Sequence, residues 1–245
     1  MQAVLISIIT INFNNCVGLK RTIESVGAMK FSDYEYIVVD GNSSDDSKNL
    51  IVNSEIIDKY LIELDSGIYD AMNKGAKLAS GKFLYFLNSG DIVISDLFSN
   101  LHEVKNIFQY DVIYGSTKSI STDYVDISRK KEVIFYDIPF CHQSVFLNRE
   151  VFRSFEFNLK YKLAADYELF LKVYLAGYRF YQTSFFFSKI DTNGLSHTKQ
   201  LSVVLEYIQI IFDVHKFGKS IFFFITFIAK KYKFIMRLLF KNLLK

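Results

Sequence analysis

Over the first 91 residues, short unbroken apolar runs alternate with stretches whose apolar residues recur at helical spacing. Residues 4–11 are rich in β-branched side chains and read as a core strand, not as a signal peptide, because no basic flank precedes them. They end on Asn12, Phe13, Asn14 and Asn15, after which Leu19, Ile23 and Val26 mark a helix. Residues 36–39 form the next strand, closed by D-G-N-S-S-D-D at 40–46. There Ser43 or Ser44 can cap a helix carrying Leu50, Ile51 and Ile57. Residues 60–64 predict a third strand ending at Asp65, and residues 66–80 a helix stopped by Gly81. The run F-L-Y-F-L at 83–87 then halts on Asn88, Ser89, Gly90 and Asp91. An apolar run bounded by turn residues fits a strand buried on both faces. The β-α-β-α-β-α-β order predicts an α/β fold, with a mostly parallel sheet flanked by helices. In such sheets ligands bind beyond the carboxyl ends of the strands. That edge would gather Asn12, Asn14, Asp40, Asp65, Asn88 and Asp91.

The second half is less regular. Residues 97–108 predict a helix and 111–114 a strand. Residues 116–131 are polar and uneven, a loop or an irregular hairpin. Residues 133–136 and 144–147 read as strands, 164–176 as an amphipathic helix ended by Gly177, and 178–187 as a strand. A glycine-containing turn follows at 191–197. From Leu201 the spacing of Val204, Leu205, Ile208, Ile211 and Phe212 is helical, and an apolar run occupies 221–229. The expected organisation is one α/β domain over 1–200, with halves 1–91 and 92–200, and an appended segment of amphipathic helices over 201–245.

Charge changes the picture of that appendage. From Lys216 onward there are eight lysines and arginines and no acid, so a total of +3 leaves −5 for the rest of the chain. The run at 221–229 is too short to cross a bilayer, which needs about 20 residues. A basic amphipathic segment lying on an anionic membrane fits, each cation contributing roughly 1 kcal/mol there; packing on the body or a second subunit is the alternative. Nucleic-acid binding is not expected, because these cations lie in an apolar tail and not on a polar groove-facing element. Cys16 and Cys141 make no disulfide framework, which fits a reducing cytoplasm. The expected location is cytoplasmic and peripheral, on the inner face of the cell membrane.

Three stretches coincide in order and spacing: S-I-I-T-I-N-F-N-N at 7–15, V-V-D-G-N-S-S-D-D-S at 38–47, and D-S-G-I-Y-D-A-M-N-K-G-A-K-L-A-S-G-K-F-L-Y-F-L-N-S-G-D at 65–91. Together they resemble the inverting family 2 glycosyltransferases of the GT-A fold, of the bacterial exopolysaccharide and O-antigen type. The resemblance continues more weakly through C-H-Q-S-V-F at 141–146, A-A-D-Y-E-L-F-L-K at 164–172 and T-N-G-L-S-H at 192–197. It implies a nucleotide-diphosphate sugar donor (a UDP-sugar first), a divalent cation (Mg²⁺ or Mn²⁺), and a glycan or lipid-linked glycan acceptor. It further implies nucleoside contacts at Asn12, Asn14 and Asp40, and a metal held at Asp91 with His197. Asn88 takes a place in the D-x-D motif, and Asp166 that of the catalytic base. Asp65, Lys74 and His142 would contact substrates. The sequence departs from the pattern at Asn88 and Gly90, where aspartates are common. It departs again at Met72, where many members carry an arginine, leaving the diphosphate to the metal, Lys74 or the basic loop 129–131.

The chemistry needs a carboxylate to take the acceptor proton and positive charge to balance the leaving diphosphate. Each assignment has a plainer counterpart. Asp91, Asp65 and Asp166 stand where helix caps stand, Asp40 could be a turn residue or a receiver-type phosphoacceptor, and His142 and His197 could be surface residues. A nucleotidyltransferase is a rival, although Asn12–Asn15 is not the Gly-rich basic loop it would use. A non-catalytic binding protein on the same fold is another, given the thinned metal motif.

Overall fold

The computed structural model describes residues 5–94, 106–191, 200–214 and 223–231. The strands are β1 (Ile6–Asn12), β2 (Tyr34–Asp40), β3 (Lys59–Ile62), β4 (Phe83–Phe86), β5 (Ile92–Val93), β6 (Val112–Ser119), β7 (Val125–Asp126), β8 (Val145–Asn148) and β9 (Phe180–Ile190). The helices are α1 (Cys16–Gly27), α2 (Ser47–Val52), α3 (Ile68–Leu78), α4 (Arg149–Phe155), α5 (Ala165–Leu175) and α6 (Gln200–Val214); residues 223–231 are also helical.

One sheet holds all nine strands in the order β3-β2-β1-β4-β8-β6-β9-β5, with β7 paired to β6. β3, β2, β1 and β4 are mutually parallel, as the alternation with helices dictates. Beyond β4 the sheet is mixed: β8 is antiparallel to β4 and β6, while β6 and β9 run parallel. The carboxyl ends of β4, β6 and β9 therefore share an edge with those of β1 and β2.

Side chains on the parallel strands alternate between two apolar layers. Ile9, Ile11, Ile37, Val39, Leu84 and Phe86 face α3, α5 and α6. Ile6, Ile8, Tyr36, Val38, Phe83 and Tyr85 face α1. Fully burying each such side chain contributes about 1.5–3 kcal/mol, so both helical layers are strongly held.

The structure departs from the sequence pattern in several places. Residues 131–135 form a short 3-10 helix where a strand was expected. Its Ile134 is buried, and Phe135 stacks on Phe223 with ring centroids 4.7 Å apart. Short apolar runs do not distinguish strand from buried helix. Ser43 does not cap α2; it serves Asp40 instead, and Asp46 stands at the cap position. The polar stretch after residue 116 is partly a hairpin, β6 with β7. The helix expected over 97–108 falls largely outside the described residues; within them, Ile107–Gln109 forms a 3-10 turn.

The segment after residue 200 packs on the body. Glu206 accepts the backbone N–H groups of Lys162 at 3.0 Å and of Leu163 and Ala164 at 2.9 Å, just before α5. Tyr207 stacks on Tyr167 at 4.2 Å, and Phe227 is buried. Of the tail cations, Lys231 pairs with Asp137 at 2.5 Å. No helix among the described residues is long and apolar enough to cross a membrane.

Candidate functional site

Parallel register builds the first part of the site. It sets Asn12 beside Asp40 at the ends of β1 and β2. The ladder continues past β4, since Leu87 N–H donates to Ile9 O at 2.9 Å and Ser89 N–H to Ile11 O at 3.1 Å. Ser89 thereby reaches Asn12, donating its hydroxyl to Asn12 Oδ1 at 2.7 Å. Asp40 has no exposed surface. Its carboxylate accepts Asn12 Nδ2, Ser43 Oγ and Ser43 N–H, each at 2.7 Å. Whatever occupies the edge meets Asp40 through Asn12 and Ser43.

Asn14 turns the chain with φ 50°, a left-handed conformation that asparagine tolerates. Its N–H donates to Ser43 Oγ at 2.8 Å, and its Oδ1 accepts Ser44 N–H at 2.7 Å. The turn leaves Phe13 64% exposed. Below it lies Gly41, where a β-carbon would come within 2.5 Å of Asp65 Oδ2 and 3.1 Å of Phe13. Phe13 and Asp65 thus close directly over the buried Gly41, in the place a side chain there would take. Asp65 also accepts Gly67 N–H at 2.9 Å, ahead of α3.

A second set stands at the other end of the β4 stop. Asn88 Nδ2 lies 3.2 Å from His142 Nε2, and His142 Nδ1 lies 3.5 Å from Asp166 Oδ2. Asp166, in the first turn of α5, accepts Tyr69 O–H at 3.0 Å and Tyr167 N–H at 2.9 Å on its other oxygen. Asn88 and Asp166 thus bracket the two ring nitrogens of His142 and fix the plane of its imidazole. Tyr69 is buried beside Asp166, and both burial and that carboxylate push its hydroxyl well above the ordinary phenol range.

Asp91 forms a third set with residues of the second half. It is buried, accepting Gln143 Nε2 at 3.0 Å and Asp191 N–H at 2.9 Å. Cys141 donates its thiol to Gln143 Oε1 at 2.7 Å, which fixes the orientation of that amide. Burial raises the Asp91 carboxyl to about 6, the two hydrogen bonds only partly offsetting it.

No cluster of three or more His, Cys, Asp or Glu side chains is arranged to hold a metal among the described residues. The oxygens nearest that role are the Asp91 carboxylate and Asn88 Oδ1, which is buried with no partner among the described residues. Both Asp91 oxygens already accept hydrogen bonds, so a hard cation at this loop would draw most of its oxygens from a ligand's own phosphates.

The β4 stop therefore joins the three sets, bringing Asn12, Asn14, Asp40, Asn88, Asp91, His142 and Asp166 to one edge, with Asp65 beside them. Lys74 is turned elsewhere: its ammonium meets Leu64 O at 2.7 Å, Glu63 at 2.9 Å and Asp70 at 3.4 Å. His197 lies outside the described residues. Tyr69, Gln143, Ser43 and Phe13 carry the site's geometry without having stood out as candidates. Tyr69 and Gln143 sit inside the motif stretches, but nothing in their spacing announces a contact 97 or 52 residues away.

The family model for glycosyl transferase family 2 matches residues 7–178, which takes in all three sets but Asp191. The chain belongs to that family. This glycosyltransferase is 28% identical over 186 residues to a PGL/p-HBAD biosynthesis glycosyltransferase of Mycobacterium bovis, covering 71% of each chain. Its fold matches that of S. aureus TarS residues 1–349 in complex with UDP-GlcNAc, at a TM-score of 0.75 and 16% identity, over 94% of this chain and 73% of that one. It also matches glucosyl-3-phosphoglycerate synthase from Mycobacterium tuberculosis in complex with Mn²⁺, UDP and phosphoglyceric acid. That match has a TM-score of 0.62 and 13% identity, over 83% of this chain and 77% of that one. The glycosyltransferase is thus a GT-A enzyme that uses a nucleotide-sugar donor.

Proposed function

We propose that the enzyme transfers the sugar of a UDP-sugar, with inversion, to a hydroxyl of a lipid-linked surface glycan. The observation that carries this reading is the single edge at which Asp40 and Asp166 meet, one behind Asn12 and Ser43 and the other tied to Tyr69 and His142. The uridine nucleotides held by the two structural neighbours support the choice of donor.

In this reading the base lies against exposed Phe13, beside Asp65. Asp166 takes the proton of the acceptor hydroxyl. The acceptor oxygen bonds to the anomeric carbon as the bond from that carbon to the phosphate oxygen breaks, and the electron pair leaves with the diphosphate. Direct attack from the face opposite the leaving group inverts the centre, and no enzyme nucleophile is required. Tyr69 and Tyr167 N–H occupy one Asp166 oxygen, which leaves the other, beside His142, to receive the proton. Asp91 and Asn88 would hold a divalent cation, which supplies charge neutralisation to the diphosphate when bound.

The lipid-linked acceptor follows from the tail. Ile225 is an exposed apolar residue within the basic stretch, and Leu205 and Phe212 are exposed on α6 just before it. A peripheral anchor there would hold the edge near the acceptor. A melting-temperature panel of UDP, GDP and ADP, with and without Mn²⁺, tests the donor: a rise confined to UDP supports the reading, and no rise with any nucleotide overturns it. Replacing the eight tail cations by glutamine tests the anchor; flotation with anionic vesicles that stays unchanged removes its electrostatic part.

A further inference from the structure

A departing diphosphate needs positive charge beside it. Lys74 and Arg129 are engaged elsewhere. Lys74 is held by Leu64 O, Glu63 and Asp70. Arg129 is bound by Asp137 at 2.9 Å and by Ile138 O at 2.5 Å. Met72 is wholly buried in the core.

Arg21 is placed differently. α1 carries it to the turn after β4, where Nη2 lies 3.4 Å from the point a β-carbon on residue 90 would occupy. Gly90 is buried with φ 104°, where any L side chain is strained, so the turn brings its backbone directly beneath Arg21. Asn15 Nδ2 lies 3.5 Å from the same point. Asn15 is engaged there, its Nδ2 donating to Ser89 O at 3.2 Å and its Oδ1 accepting Gly18 N–H at 3.2 Å, so Arg21 is the cation that stands over this turn. Thr22 fixes the turn, accepting Gly90 N–H at 2.9 Å and donating to Asp91 O at 2.8 Å. Arg21 is 39% exposed, and its contact with Asp191 is long, at 3.4 Å, and equally exposed. A pair of that kind is weak and gives way to a better anion.

We propose that Arg21, beside the Gly90 turn, binds the diphosphate oxygens of the donor, supplying charge that the single carboxylate of this loop cannot recruit through a cation alone. The proposal rests on the donor reading above. In the free enzyme Asp191 holds the guanidinium; the diphosphate displaces it.

The test is calorimetric titration of the full chain with UDP and with uridine, in EDTA and in Mn²⁺. Arg21→Gln should weaken UDP binding in EDTA by roughly 10- to 100-fold, the range expected for a lost charge-assisted contact. Uridine binding should not change, and the melting temperature should stay within about 2 °C of wild type. Arg21→Lys should recover part of the loss, because it keeps the charge but not the fork. Unchanged UDP affinity of Arg21→Gln in EDTA, or an equal loss for uridine, overturns the proposal. Wild-type protein that takes up neither UDP nor GDP overturns the donor reading itself, a result distinct from a selective failure at Arg21.

Discussion

Replacing Asp40 by asparagine is the sharpest probe of how the β1–β2 edge is built. The carboxylate is fully buried and accepts three hydrogen bonds, from Asn12 Nδ2, Ser43 Oγ and Ser43 N–H, all at 2.7 Å. Asparagine keeps one acceptor oxygen and turns an NH₂ toward groups that donate. One or two buried donors are then left unmatched, each costing about 1–3 kcal/mol. The expected loss of stability is about 2–4 kcal/mol, or roughly 5–15 °C in melting temperature for a chain of this size. Asn12 and Ser43 also lose their orientation, so UDP binding should fall along with stability. Thermal melts read the first effect and calorimetric titration below the new melting point reads the second. A melting temperature and a UDP affinity both equal to wild type would refute the assignment of Asp40 as the organiser of this edge.

Glu35 carries the pH dependence. Burial alone would raise its carboxyl, but the hydrogen bonds from Lys59, Ser7 and Ser80 outweigh that and hold it at about 2. A depressed pKa stabilises above the unfolded value of 4.5 and is lost as pH falls toward 2; with Lys59 half-exposed, the loss should be on the order of 2 kcal/mol, and Glu35→Gln should flatten that slope in urea melts. Gly41→Ala should weaken UDP binding by roughly tenfold, about 1.4 kcal/mol, because the new methyl displaces Asp65 or Phe13; calorimetry with UDP showing no change would sink the placing of the base against Phe13. Tyr69→Phe removes the hydroxyl bound to Asp166 at 3.0 Å and should lower kcat roughly tenfold with donor KM unchanged, measured by initial rates of UDP release. Glu206→Ala strips the acceptor from three backbone N–H groups before α5 and should cost about 1.5–3 kcal/mol in denaturant melts.

The parallel half was legible because local rules and tertiary structure agree there. Each apolar run is a strand, each polar stop is its carboxyl end, and register then brings Asn12 to Asp40. The antiparallel half was harder to read. β5 has two residues and exists only through its pairing with β9. α4, at Arg149–Phe155, is a seven-residue helix whose signal was the cap Asn148, which accepts Glu150 N–H at 2.9 Å. In the site, the carboxylates stood out because acids after strands are conspicuous. The residues that orient them did not, since Tyr69, Gln143 and Arg21 gain their meaning from partners distant in the chain. Lys74 illustrates the converse: its place in the motif pointed to the donor, while Glu63 and Asp70 draw it aside.

The claim on which the account depends is that carboxylates from separate segments divide the labour at one edge, with Asp166 acting on the acceptor and not on the donor. Sugar transfer from a UDP-sugar to a total lipid extract of the source cells, set beside UDP-sugar affinity, measures that division in Asp166→Asn. Transfer reduced by about 10²–10⁴-fold with affinity unchanged is the predicted outcome. Transfer at the wild-type rate, or loss of donor affinity in step with transfer, would contradict it.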